Sequence, residues 1–381
     1  MEVYLDNSAT TKPHEKVIEA MMDCLNNNYG NPSSLHKMGV HAEKSVKNAR
    51  RIIADTLQIN ESEFYFTSGG TESNNIALYG AAKALRRKGH KIITTQIEHP
   101  AVLNVFKDLE QQGFEAHYLS VDSYGLIDVE ALKEAIDDKT ILISIMHVNN
   151  ELGTIEPLKE IGEIKRKHEN IFFHVDAVQG YGKLPIYPHQ YSIDLLSISG
   201  HKIHGPKGIG GLYINKNIVI PPLIQGGQQE KNMRSGTENV PGIVGLGEAA
   251  RIIYGDIEKN KEHIQKVRNT LLAGIKKEIS DFRINSDDRC LPHILNISFQ
   301  DVRAEVLLHM LERDHIYVST GSACSSHKKN SNVLTAIGLS HSEINGAIRF
   351  SFSNENTIEQ MDYVLESLKK NIASMRKMLR R

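Results

Sequence analysis

Short apolar runs and amphipathic stretches alternate along most of this chain. Residues 3–5 read as a short strand, followed by the polar turn Asp6-Asn7-Ser8-Ala9-Thr10-Thr11. Pro13 is suited to begin a helix, and Val17, Ile18, Met21, Met22 and Leu25 recur behind it at helical spacing. The turn formers of 28–34 make a loop, and a second helix carries Ala42, Val46, Ala49, Ile52, Ile53 and Leu57. Strands then follow over 64–66, 91–95, 115–119, 141–146 and 171–175, with helices over 72–87, 101–112, 129–136 and 158–168. Such alternation predicts crossover units around a mostly parallel, helix-covered sheet, the α/β class. Past residue 202 the texture changes: a glycine-rich passage, a strand at 212–214, and a long helical stretch from about 243 to 275. Beyond it, strands at 294–299, 316–319 and 348–351, a helix at 304–311 and a basic helix from 357 suggest a smaller α+β unit. The expected division is a large domain over 16–250 and a small domain made of 1–15 with 251–381.

Composition narrows the function classes. The 381 residues carry 45 lysines and arginines against 46 acidic residues, so no global field draws the chain to nucleic acid or an anionic membrane. The three cysteines, Cys24, Cys290 and Cys324, have neither metal-ligand nor CxxC spacing, which argues against a disulfide framework and for a reducing compartment. The opening residues lack a basic and apolar leader pattern, and no apolar run approaches the ~18 residues of a membrane helix. A soluble, cytoplasmic protein is the expectation. The basic tail 377–381 reads as a solvated helix end.

The chemistry gathers where strands end. Lys202 closes Ser197-Ile198-Ser199-Gly200-His201-Lys202, just past an apolar run, where a parallel sheet opens its ligand crevice. A desolvated lysine there suits a Schiff base with an aldehyde cofactor. Asp176 ends another apolar run, and an acid that can pair with a pyridinium nitrogen is the second part pyridoxal phosphate needs. Either residue alone also reads as an ordinary loop charge; the pair is more specific. Gly69-Gly70-Thr71 opens a helix and offers amides and a hydroxyl to a phosphate, although an N-cap explains Thr71 equally well. His99 follows a strand, where it can stack on a planar ring or simply cap a helix. Asn150 supplies an amide at a further strand end, and Gln179, three residues after Asp176, is placed like a second donor to the cofactor. Arg349, inside an apolar strand, is costly to bury unpaired and should face an anion such as a carboxylate. Cys324 sits among serines in 319–326, next to His327, Lys328 and Lys329, as an accessible thiol whose thiolate is favoured by positive neighbours. Cys24 and Cys290 read as packing or surface residues.

With these residues in view, the sequence resembles the NifS/IscS-like cysteine desulfurases among the class V aminotransferases, end to end from Tyr4-Leu5-Asp6 to Arg349-Phe350-Ser351. The motifs most specific to that family are Ser199-Gly200-His201-Lys202, Arg234-Ser235-Gly236-Thr237 and Gly321-Ser322-Ala323-Cys324. The resemblance implies the fold-type I architecture of pyridoxal 5'-phosphate (PLP) enzymes, with a seven-stranded, mostly parallel sheet in the large domain. It implies Lys202 as the cofactor-bearing base, His99 stacked on the ring, Asp176 on the pyridinium nitrogen and Gln179 on the ring hydroxyl. Gly70, Thr71, Ser199 and His201 would bind phosphate, Thr237 reaching in from the second subunit of a homodimer. Asn150 and Arg349 would hold the carboxylate of L-cysteine, and Cys324, on a mobile loop over about 319–332, would take its sulfur as a persulfide. The implied partner is a sulfur acceptor, an iron–sulfur scaffold or a tRNA thiolase, with no direct contact to nucleic acid or membrane. An aminotransferase or a selenocysteine lyase is the alternative on the same scaffold. One departure stands out: the stretch after Cys324 lacks the Glu-Pro pair of the family and is a residue shorter, which bears on acceptor choice and loop reach.

Overall fold

Alternating buried strands and one-sided helices build the sheet that the apolar pattern predicts. The computed structural model describes residues 1–320 and 331–379. Its strands are β1 (Val3–Tyr4), β2 (Phe64–Thr67), β3 (Lys91–Thr95), β4 (Glu115–Leu119), β5 (Thr140–Ser144), β6 (Phe172–Asp176), β7 (Leu195–Ser199), β8 (Gly210–Ile214), β9 (Phe282–Ile284), β10 (Ile294–Phe299), β11 (Ile316–Tyr317) and β12 (Ala347–Ser351). The principal sheet has seven strands in the order β2-β8-β7-β6-β5-β3-β4. Only β8 runs against its neighbours; every other pairing in the sheet is parallel. Strands β5 to β8 are buried along their whole length, as a sheet covered on both faces requires.

Two apolar clusters pack against this sheet, one on the helices Glu15–Asn27, Lys37–Leu57 and Val240–Gly255, the other on Gly70–Leu85 and Pro100–Gln111. A separate cluster joins Val3 and Leu5 to β10, β12 and the helices Ile257–Glu278 and Ile358–Leu379. Strands β9, β10 and β12 form an antiparallel sheet there, and β1 pairs in parallel with β11. The chain therefore begins in this second cluster, and residues 6–11 carry it back towards the large sheet.

Three sequence expectations are corrected. The stretch 243–275 is not one helix: Val240–Gly255 and Ile257–Glu278 meet at Asp256, whose φ of −132° and ψ of 20° leave the helical region. The first helix starts at Glu15, because His14 is extended and its side chain caps Lys16. Of the apolar residues assigned to that helix only Val17 is fully buried, whereas Ile18, Met22 and Leu25 are about half exposed at 45%, 51% and 53%. Among the described residues no helix is long and apolar enough to cross a membrane, and no cluster of side chains suits a metal ion.

Candidate active site

The carboxyl ends of β2, β3, β5, β6 and β7 lie along one edge of the sheet, where a parallel arrangement leaves its crevice. Asp176 is the last residue of β6 and only 4% exposed. Its Oδ2 accepts from Asn74 Nδ2 at 2.7 Å and its Oδ1 from the Val178 amide at 3.0 Å. The adjoining turn packs closely enough to demand glycines. A Cβ at Gly70 would lie 2.5 Å from Val178 Cγ2, and one at Gly180 would lie 2.1 Å from His147 Nδ1.

Lys202 ends the 3-10 turn that follows β7. Its Nζ donates to the carbonyls of Ser8 and Ala9, at 2.6 Å each. The N-terminal segment is stitched down around it: Thr11 N and Oγ1 both donate to the His201 carbonyl, and the His204 amide donates to Thr11 Oγ1. Desolvation lowers the His201 pKa to about 4, with Lys202 adding to the effect, so this ring is neutral near pH 7.

His99 caps the helix Pro100–Gln111, its Nδ1 accepting from the Ala101 amide at 3.1 Å. The proton of the neutral ring therefore sits on Nε2. Burial holds this imidazole below its ordinary pKa; Asp176 opposes that and Lys202 reinforces it. Just before it, Glu98 is buried, and Glu98 Oε1 accepts from Thr95 Oγ1 and from the Met146 amide. Desolvation pushes this carboxyl well above the usual range, and the nearby Asp176 adds to the shift.

Arg349, on β12 and 2% exposed, donates to the Asn150 carbonyl at 2.9 Å and to Asp6 Oδ1 at 2.8 Å. The two residues expected to hold a substrate carboxylate thus lie together. Gln179 is buried, with Nε2 donating to the Ser8 carbonyl and Oε1 accepting from Lys183 Nζ, both at 2.9 Å. Ser199 is buried at the end of β7, and Gly70 and Thr71 open the helix Gly70–Leu85, Thr71 exposed. Among the described residues the amides of Gly70, Thr71 and Glu72 have no backbone acceptor, the condition in which a helix start receives an anion. Thr237 stands on an exposed loop before the helix Val240–Gly255, with no hydrogen bond to Lys202, Asp176 or Gly70 among the described residues. Cys324 lies outside the described residues. The chain on either side of it is anchored here: Ser319 exchanges backbone hydrogen bonds with Arg349, and Ser331 Oγ donates to Glu151 Oε2 at 2.6 Å.

Sequence reasoning missed three contributors: Asn74, the Ser8 carbonyl and Lys183. Asn74 was within reach of a helical argument, one turn after Gly70 on the same face. The Ser8 contact, 194 residues from Lys202, leaves no local signal.

Behind the site, Glu156 is pushed up to about 8 by burial, with Asp122 adding to the shift. Between the unfolded carboxyl near 4.5 and about 8, the folded chain keeps a proton that the unfolded chain has released. Its stabilising share is therefore complete below pH 4.5 and lost as pH rises towards 8. Glu156→Gln is expected to match the wild type near pH 4.5 and to exceed it at pH 8 by on the order of a few kcal/mol in urea unfolding. Parallel stability–pH curves for the two proteins would contradict this.

A buried carboxylate held by neutral donors, an imidazole within electrostatic reach of both that carboxylate and the Lys202 amine, and a helix start whose first amides have no backbone acceptor among the described residues fit pyridoxal phosphate. Fold and site together define a fold-type I enzyme of that cofactor. The sequence matches the Aminotransferase class-V family over residues 3–364. It is 48% identical over 377 residues to the cysteine desulfurase IscS of Methanosarcina thermophila, covering 99% of this chain and 93% of that protein. It is 45% identical over 381 residues to the cysteine desulfurase IscS of Clostridium botulinum, covering 99% and 96%. The structure of a NifS-like protein superposes with a TM-score of 0.93 at 40% identity, covering 98% of this chain and all of that one. A structure of SspA in complex with cysteine gives 0.83, also at 40% identity, covering 93% of this chain and all of that one. The chain belongs to the class-V aminotransferase family, in its cysteine desulfurase group, whose members depend on pyridoxal phosphate.

Proposed function

We propose that this chain converts L-cysteine to L-alanine and passes the sulfur on as a persulfide of Cys324. The observation that carries this reading is the meeting of Lys202, Asp176 and His99 at one sheet edge, with Arg349 and the anchors of the Cys324 segment beside Asn150 and Glu151. When bound, pyridoxal phosphate supplies the electron sink that makes a substrate α-proton removable. Lys202 is the amine that carries the cofactor and takes up that proton. Asp176, its oxygens fixed by Asn74 and Val178, keeps a proton on the ring nitrogen. His99 would lie against the ring, where its Nε2 proton would be available for transfer. Gly70, Thr71, Ser199 and the neutral His201 hold the phosphate, joined by Thr237 of a second copy.

Arg349 and Asn150 seat the substrate carboxylate. The Cys324 thiolate then bonds to the substrate Sγ as the Cβ–Sγ bond breaks. That electron pair stays with the carbon skeleton, which gains protons and leaves as alanine, so no outside oxidant is needed.

A homodimer is part of the reading, supported by the exposed Ile18, Met22 and Leu25 on one helix and Leu35 nearby in sequence. The domain division at about residue 250 is supported by the separate apolar cluster of the terminal segments. A sulfur-acceptor protein for iron–sulfur assembly or tRNA thiolation follows from the relatives' activity, and a cytoplasmic site from the free thiols of Cys24 and Cys290.

The test is incubation of the holoenzyme with L-cysteine and no acceptor. Stoichiometric alanine and a gain of one sulfur atom on the Cys324 peptide are expected. Amino transfer to a 2-oxo acid, without sulfur on Cys324, would replace this reading with an aminotransferase.

A further inference from the structure

A second amine lies close to Lys202 and has no part in the chemistry above. Lys183 follows β6 by seven residues, is only 8% exposed, and lines a cavity of about 20 Å³ together with Lys202, Asn7, His204 and His293. Its Nζ makes one hydrogen bond among the described residues, to Gln179 Oε1, and no described carboxylate pairs with it. Isolated buried lysines are expensive to keep and rare. Burial, with the charges of Lys202 and Arg349 adding to it, lowers its pKa to about 7. Among the described residues no charge pairing of Lys183 stabilises the fold, so another use is called for.

That use is visible in the hydrogen-bond order. Lys183 only donates, whereas a carboxamide can present either its oxygen or its N–H groups with little change in shape. Lys183 Nζ donates to Gln179 Oε1, Gln179 Nε2 donates to the Ser8 carbonyl, and the same carbonyl accepts from Lys202 Nζ at 2.6 Å. With its oxygen occupied by the amine, Gln179 keeps its N–H groups on the Ser8 and Lys202 side. One N–H serves Ser8 and the other remains for a further acceptor. Turned over, the amide would set its oxygen against the Ser8 carbonyl and leave the Lys183 donor facing an N–H.

We infer that Lys183 is a positioning residue that locks the Gln179 carboxamide with its N–H groups towards the cofactor. The inference rests on the reading that Gln179 meets the ring oxygen of pyridoxal phosphate, an acceptor when ionised. Lys183 then acts through Gln179 and touches neither cofactor nor substrate.

The test compares the pH midpoint of the visible absorbance change in holoenzymes carrying Lys183→Met, Gln179→Ala or both. Losing a donor to the ring oxygen favours the protonated form, so Lys183→Met is expected to raise the midpoint by about one unit. Gln179→Ala is expected to raise it similarly, and the double variant no further than Gln179→Ala alone. Equal shifts from Lys183→Met with and without Gln179 would overturn the inference, since the amine would then act directly. So would a shift with Gln179→Ala but none with Lys183→Met. No shift with Gln179→Ala would instead remove the premise that Gln179 meets the ring, and the inference with it. Lys183→Ala gives the same comparison should methionine fail to pack.

Discussion

Cys324→Ala is expected to leave the visible absorbance of the holoenzyme unchanged while alanine formation from L-cysteine falls by about a thousandfold or more. In the proposed mechanism the cofactor is held by Lys202, Asp176 and the helix start at Gly70, and the substitution leaves those residues in place. Sulfur removal depends on a thiolate that can reach the substrate. Neither remaining cysteine can stand in for it. Burial, with Asp23 adding to the effect, raises the pKa of Cys24, which lies in the helix Glu15–Asn27. Burial drives Cys290 up to about 11, beside Thr154 and Asp287. Both are therefore thiols, not thiolates, near pH 7. Cys24→Ala and Cys290→Ala should each keep wild-type turnover. Alanine quantification with a persulfide-reactive probe distinguishes the cases, and sustained sulfide release by Cys324→Ala would defeat the persulfide mechanism.

Lys202→Ala is expected to have an effect at least as large and of a different kind. In the proposed mechanism both the covalent attachment and the proton acceptor disappear, so turnover should fall by about a thousandfold or more. The absorbance of lysine-bound cofactor should vanish as well. Lys202→Arg should not rescue either property, because a guanidinium does not release its proton at working pH. Lys183 cannot substitute despite its depressed pKa, since its amine is committed to Gln179. Borohydride reduction followed by peptide mapping locates the attachment directly. Cofactor fixed to any lysine other than Lys202 would refute the assignment.

The fold was largely legible because its signals are local. Strands β3, β4 and β10 appear at the bounds that their apolar runs predict, and Asp176 and Lys202 stand just at or past strand ends as expected. The break at Asp256 was not legible, because apolar spacing continues across it and only the backbone turn separates the helices. Nor was the exposure of Ile18, Met22 and Leu25, since periodicity shows that a helix has an apolar face without saying what covers it.

The sequence by itself determined the class of fold, the strand-end placement of Asp176 and Lys202 and the family motifs. It did so because side-chain periodicity and turn chemistry act over a few residues. Only the tertiary structure decided that residues 8–11 lie over Lys202, that Asp6 and the Asn150 carbonyl hold Arg349, and that Asn74 fixes Asp176. The same holds for the link from Lys183 through Gln179 to Ser8. Those contacts join segments from about a hundred to several hundred residues apart, or, within one turn, depend on which way an amide faces. They are settled by packing, where a buried donor must find an acceptor, and nothing in the local pattern of residues records which one it finds.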